Sequence, residues 1–258
     1  MTSRSGINRP MALMVAIMAA LGSLFAGDSA NAQRFGFDRI PNHIPKPNGP
    51  PARSNEAGKF DYYALVMSWS PSYCAGLVKN DYDPQCNARS GKRYSFVLHG
   101  LWPQLTKGYP ESCPPRDRSY IQDASIDRIL DIMPSKRLVV HEYKKHGSCS
   151  GLEPDAYFNF ARKLFTKVTV PARFQNPQAA FFISPDDLKK EFAASTPGLK
   201  PEMIGVACDR GNGDRLKEIR ICMTRDGEFM ACGSNEAQNR LCRSTRMYIP
   251  PVRVSPAG

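Results

Sequence analysis

The sequence predicts an α+β domain: a central, largely antiparallel β-sheet flanked by helices. Two kinds of periodicity carry this. Short apolar and aromatic runs have strand length, and longer segments repeat their apolar residues at helical spacing. The third observation is order: strands meet at hairpin turns and do not recur in strand–helix–strand units. No internal repeat is present.

Tyr62 to Trp69 reads as the first strand and Tyr94 to His99 as the second, both rich in aromatic and apolar residues. Ser125 to Met133 sets Ile126, Ile129, Leu130 and Met133 on one helical face, and Pro134 stops it. Leu138 to Lys145 fits strand or helix by pattern, and His141 to His146 is taken as helical. Pro154 to Val168 aligns Tyr157, Phe158, Ala161, Leu164, Phe165 and Val168 on one face of a helix. Ser184 followed by Pro185 opens a further helix through Ala194. Met203 to Cys208, Leu216 to Met223 and Glu228 to Cys232 read as strands. The last two flank Thr224-Arg225-Asp226-Gly227, a hairpin signal that brings Cys222 opposite Cys232.

The ends read differently. Arg4 and Arg9 precede an apolar stretch from Met11 to Phe25, and Ala30-Asn31-Ala32 is a small-x-small cleavage pattern. Residues 1–32 are therefore expected to be a signal peptide, with a mature start at Gln33. The apolar run is short for a membrane span, so an uncleaved anchor is the weaker reading. Residues 33–59 hold Pro41, Pro45, Pro47, Pro50 and Pro51 and read as a flexible arm, in which His43 is a surface histidine. The folded unit is expected over residues 60–249, with a proline-marked tail from 250 to 258.

The chain has a formal charge of +11, and removing Arg4, Arg9 and Asp28 with the leader leaves +10. A basic exported protein favours polyanionic partners, although basic charge alone does not select nucleic acid. Eight cysteines in an exported chain read as a disulfide framework, and eight allow 105 pairings. Zinc ligation is disfavoured because no Cys-x-x-Cys pair occurs.

The chemistry is concentrated in two short blocks. Of four histidines, His99 lies in His99-Gly100-Leu101-Trp102-Pro103, and two lie in His141-Glu142-Tyr143-Lys144-Lys145-His146-Gly147-Ser148-Cys149. These blocks resemble the two active-site segments of the ribonuclease T2 family, with Tyr143 where that family more often has Trp. The resemblance implies an exported, bacterial-type endoribonuclease of the family's α+β fold. It also implies three further disulfides, Cys74–Cys86, Cys113–Cys149 and Cys208–Cys242, beside the hairpin pair Cys222–Cys232.

RNA cleavage of this kind needs a base for the 2′-hydroxyl proton, an acid for the departing 5′ oxygen, and cations for the phosphorane charge. The resemblance assigns His99 and His146 as the acid–base pair, with His146 favoured as base, and places Glu142, His141 and Lys145 at the phosphate. His141 and Lys145 are four apart and share a helical face; Glu142 and His146 share the adjoining one. On spacing alone, Glu142 tunes His146, contacts the phosphate region, or does both. Lys144 is read as a solvated charge. Trp102 and Tyr109 are expected to stack on nucleobases, whereas Trp69 is assigned to the core.

A zinc peptidase is disfavoured, because its motif needs histidines four apart and here the second is five apart, with Lys145 in the ligand position. A catalytically dead RNA-binding protein on the same fold is the third reading. No cofactor, metal or protein partner is implied. The expected partner is single-stranded RNA, cleaved with little base preference by a monomer in the periplasm or outside the cell.

Overall fold

The computed structural model describes residues 55–77, 83–86, 92–114, 120–209 and 213–252. The expected leader, its cleavage point after Ala32, His43 and residues 33–54 of the arm lie outside the described residues, as do positions 253–258 of the tail. Strand β1 (Tyr62–Trp69) leads through a short helix α1 (Ser70–Ala75) to β2 (Phe96–Gln104). Helices α2 (Asp123–Ile129), α3 (Lys136–Lys145), α4 (Pro154–Thr166) and α5 (Ala172–Gln175) follow. The chain then runs through β3 (Phe181–Ile183), α6 (Pro185–Ser195), β4 (Ile204–Asp209), β5 (Arg215–Met223), α7 (Gln238–Leu241) and β6 (Met247–Ile249). Among the described residues no helix is long and apolar enough to cross a membrane.

The six strands form one sheet in the order β2-β1-β5-β6-β3, with β4 paired to β5. Every ladder is antiparallel except a single parallel pairing of Arg215 with Tyr248. The expected α+β class with a largely antiparallel sheet is the observed one. Strand β1 lies between β2 and β5 and is buried on both faces, which is why it reads as a nearly unbroken apolar run rather than an alternating one. Trp69 is fully buried against Phe96 and Phe174, as expected of a core residue.

Strand β2 runs five residues past the predicted end at His99, through Gly100 and Pro103. A proline is tolerated there because β2 is an edge strand and need not donate on both sides. That edge is covered rather than left open. Leu98 N–H donates to the Ile132 carbonyl (2.8 Å). The buried Tyr157 hydroxyl of α4 donates to the Leu101 carbonyl (2.8 Å) and accepts from Leu101 N–H (3.2 Å).

The hairpin after β5 forms, with Gly227 at φ +87° and Thr224 N–H bonded to the Glu228 carbonyl (2.7 Å). The predicted strand over Glu228 to Cys232 is not formed. The returning chain is held by the Met223–Phe229 bridge and by Met230 N–H donating to the Cys222 carbonyl (3.0 Å), and Cys232 N–H then turns to the Glu202 carbonyl (2.9 Å). The folded unit also extends beyond residues 60–249. Gly58 N–H donates to Cys149 O (2.9 Å), while Pro250, Pro251 and Val252 are buried and Pro250 accepts from the Trp69 indole (3.2 Å).

All four expected disulfides are present: Cys74–Cys86, Cys113–Cys149, Cys208–Cys242 and Cys222–Cys232. Cys113 and Cys149 are 36 residues apart, Cys222 and Cys232 only 10. On the chain-entropy account these are worth about 3.8 and about 2.7 kcal/mol. Replacing Cys113 and Cys149 together with Ala is therefore expected to lower Tm more than replacing Cys222 and Cys232. Calorimetry under non-reducing conditions tests this; the reverse order would mean that native packing around the hairpin bridge dominates.

Candidate active site

Two backbone features build the site. The first is a β-bulge. Val66 pairs with Gly100 and Met67 with Leu98, so His99 is the extra residue in β2. A bulge re-aims the side chain it carries. Here it turns His99 towards Glu218 and Arg220 of β5, two strands away. Gly100 follows because no other residue fits: an added Cβ would lie 2.3 Å from Glu142 Oε2 and 2.5 Å from Trp102 Nε1.

The second feature is the end of α3. Ser135 caps its start by accepting Leu138 N–H (3.3 Å). The helix stops at Lys145, and His146 occupies the C-cap, donating its N–H to Glu142 O (2.9 Å). A 3₁₀ turn over Gly147–Ser150 then tightens the chain into Cys149 and its disulfide to Cys113. Tyr143, at the position where the resemblance led one to expect Trp, is buried and donates its hydroxyl to Leu152 O (2.9 Å).

The predicted residues converge. Trp102 lies between the two histidines: His99 meets it edge-on at 5.2 Å between centroids, and His146 stacks on it at 4.7 Å and 22°. The Trp102 indole donates to Glu142 Oε2 (2.7 Å), and the other oxygen of Glu142 is 3.6 Å from His99 Nε2. Lys145 lies 3.9 Å from Glu111, and both side chains are partly exposed. His141 is exposed on α3, close enough for its charge to act on Glu142 and His146.

Two details differ from the spacing argument. Glu142 is directed at His99 and Trp102, whereas the buried His146 Nδ1 finds no hydrogen-bond partner among the described residues. A shared helical face fixes which residues are near, and tertiary contacts then choose the partner. Trp102 likewise has a ring already stacked on His146, with the Arg220 guanidinium 5.0 Å from its centroid. Tyr109 is the more exposed aromatic ring, 6.3 Å from His146.

Sequence reasoning missed Glu218 and Arg220. Glu218 is buried; its Oε2 lies 3.2 Å from His99 Nδ1, and its Oε1 accepts from Arg220 Nε (3.0 Å) and one terminal nitrogen (2.8 Å). An acidic residue two positions from Arg220, inside the predicted strand from Leu216 to Met223, was the available signal, since a buried carboxylate needs a partner.

The electrostatics set the two histidines apart. Burial works against the charged form of His99, but the Glu218 hydrogen bond and the charges of Glu142 and Glu218 outweigh it, so its pKa is raised. Burial lowers the His146 pKa to about 3, helped by Lys145, His99, His141 and Arg220. Burial raises the Glu142 pKa, only partly countered by His99 and Trp102. Glu218 is pushed up by burial, yet its bond to His99 and the charge of Arg220 prevail and hold it at about 2. Burial and nearby charge therefore set the two imidazoles apart, His146 held towards the neutral form and His99 shifted towards the protonated one, the arrangement acid–base chemistry requires.

The family model of the ribonuclease T2 family matches residues 60–232. The chain belongs to the ribonuclease T2 family. With the family goes the enzyme class, a T2-type endoribonuclease. The chain is 35% identical over 189 residues to a ribonuclease of Aeromonas hydrophila, covering 72% of this chain and 81% of that one. It is 26% identical over 213 residues to ribonuclease I of Escherichia coli, covering 67% and 79%. Among solved structures, RNase NT in complex with 5′-AMP aligns with a TM-score of 0.53 at 24% identity, over 74% of this chain and 98% of that one. Ribonuclease MC1 from bitter gourd seeds aligns with a TM-score of 0.52 at 23% identity, over 67% and 94%. These two support the ribonuclease T2 fold.

Proposed function

We propose that this ribonuclease T2 protein cleaves single-stranded RNA by transphosphorylation, with His146 as base and His99 as acid. The observation that carries this is the opposite setting of the two histidines on either side of Trp102. His146 takes the 2′-hydroxyl proton, and that oxygen attacks the adjacent phosphorus. The bond from phosphorus to the 5′ oxygen breaks, and His99 Nε2 protonates the departing oxygen. The products are a 2′,3′-cyclic phosphate and a 5′-hydroxyl, and water later opens the ring by the reverse proton traffic.

Glu218 holds His99 through Nδ1 and so leaves Nε2 as the nitrogen offered to substrate. Lys145 and His141 meet the negative charge that develops on the phosphorane. Glu142 orients Trp102 and favours the imidazolium of His99. The two histidines supply both proton transfers, so no metal is needed. Little base preference is expected.

The apolar leader and the four disulfides support export to the periplasm or beyond, with a mature, monomeric enzyme starting at Gln33. The deciding experiment is cleavage of single-stranded RNA in excess chelator. Cyclic-phosphate products are expected, and a 2′-deoxy strand should resist. Activity abolished by chelator would refute the metal-free scheme, and binding without cleavage would favour the RNA-binding reading.

A further inference from the structure

The loop that carries Tyr109 is held by one side chain from far along the chain. Asn235 Nδ2 donates to the carbonyls of Leu105 and Gly108 (both 2.9 Å), and to Gln104 Oε1 (3.2 Å) and the Tyr62 hydroxyl (3.3 Å). Its Oδ1 accepts Gly108 N–H (2.9 Å). Two amide protons are shared among four acceptors, and the Gly108 N–H donor lies on the oxygen side, so the network fixes which way the amide points. Gly108 has φ +83° and is bound through both its N–H and its carbonyl, directly before Tyr109. Asn235 itself lies just past residue 232, where the match to the family ends.

We infer that Asn235 is a positioning residue for nucleobase binding: it clamps the Leu105–Gly108 turn so that the exposed ring of Tyr109 stands beside His146 as a stacking wall. The inference rests on the ribonuclease reading of this site. A wall that stacks on a base is set by the backbone just before it. Five side-chain hydrogen bonds to that backbone and its supports remove the freedom that binding would otherwise have to remove. The expected effect is on base binding, not on proton transfer, because the hydrogen bonds of Asn235 go to Tyr62, Gln104, Leu105 and Gly108 and to neither catalytic histidine.

Calorimetric titration with adenosine 3′-monophosphate and with inorganic phosphate separates base binding from phosphate binding. Asn235→Ala is expected to weaken the nucleotide on the order of tenfold, the size of one stacking contact, and to leave inorganic phosphate within about twofold. Tyr109→Ala should do the same, and the double variant should be no weaker than Tyr109→Ala alone. Additive losses, unchanged nucleotide affinity or an equal loss of phosphate would each overturn the inference. Asn235→Asp keeps the acceptor for Gly108 N–H and loses the donors, so it carries the same test if Asn235→Ala does not fold. Wild-type protein that binds the nucleotide better than phosphate but leaves RNA intact would refute the nuclease scheme and not the clamp. Wild-type protein that cleaves RNA with no gain from the base would refute the clamp alone.

Discussion

His146→Ala is expected to lose about 100- to 10,000-fold in kcat, the usual contribution of a general base, with KM nearly unchanged. The ring is buried, held neutral and stacked on Trp102, so it is fitted for proton transfer and poorly fitted for binding an anion. His141→Ala should instead weaken binding as well as turnover and retain more activity than His146→Ala, because the acid–base pair survives. Lys145→Ala should act mainly on kcat, since its charge meets the transition state. Single-turnover rates on a dinucleoside phosphate separate these cases. Near-ultraviolet circular dichroism must accompany them, because His146 ends α3 and leads directly into the Cys149 disulfide. A folded His146→Ala enzyme with near-normal kcat would make His141 the better partner for His99.

The second large effect is on pH. The reaction needs His146 neutral and His99 protonated. As pH falls, activity is lost where His146 gains its proton, near 3. As pH rises, activity is lost where His99 loses its proton, above the ordinary histidine value of 6.5. The bell is therefore expected to be broad and to peak on the acidic side of neutrality.

Glu218→Gln removes a charge that raises His99 and leaves only a neutral acceptor at Nδ1, so the alkaline limb should move to lower pH. Each unit of movement costs tenfold in rate on the alkaline side. Activity near pH 5 should suffer less than activity near pH 8, a split that mere misfolding would not produce. An unmoved alkaline limb in a folded variant would refute the role given to Glu218.

Stability should follow a different pH course. The folded pKa of Glu218 is depressed from 4.5 to about 2, so its contribution is present above 4.5 and lost as pH falls through about 2. His99 is raised, so its contribution is present below 6.5 and lost as pH climbs through its folded value. The variant also leaves Arg220 without its carboxylate. Breaking a buried pair costs about 3–5 kcal/mol, towards the lower end here because the Arg220 side chain keeps 21% of its surface exposed.

The sequence by itself determined the fold class, β1, the long helices α4 and α6, the hairpin disulfide and the two blocks that hold His99, Trp102, His141, Glu142, Lys145 and His146. These are local properties: periodicity, capping residues, turn chemistry and motif spacing all act within a few residues. The three-residue strands β3 and β6 were beyond its reach, because so short a strand has no period of its own and exists only through its neighbours.

The working geometry was likewise settled only by tertiary structure. The bulge at His99 arises from pairing with β1, and the Glu218–Arg220 support comes from a strand more than a hundred residues later. Glu142 and His146 share a helical face, yet packing gives Glu142 to His99 and Trp102 and leaves His146 buried and stacked on Trp102. Sequence determined which chemical groups are present. Burial and the long-range partners determined which imidazole holds a proton, because desolvation and nearby charge depend on distances that only the folded chain fixes.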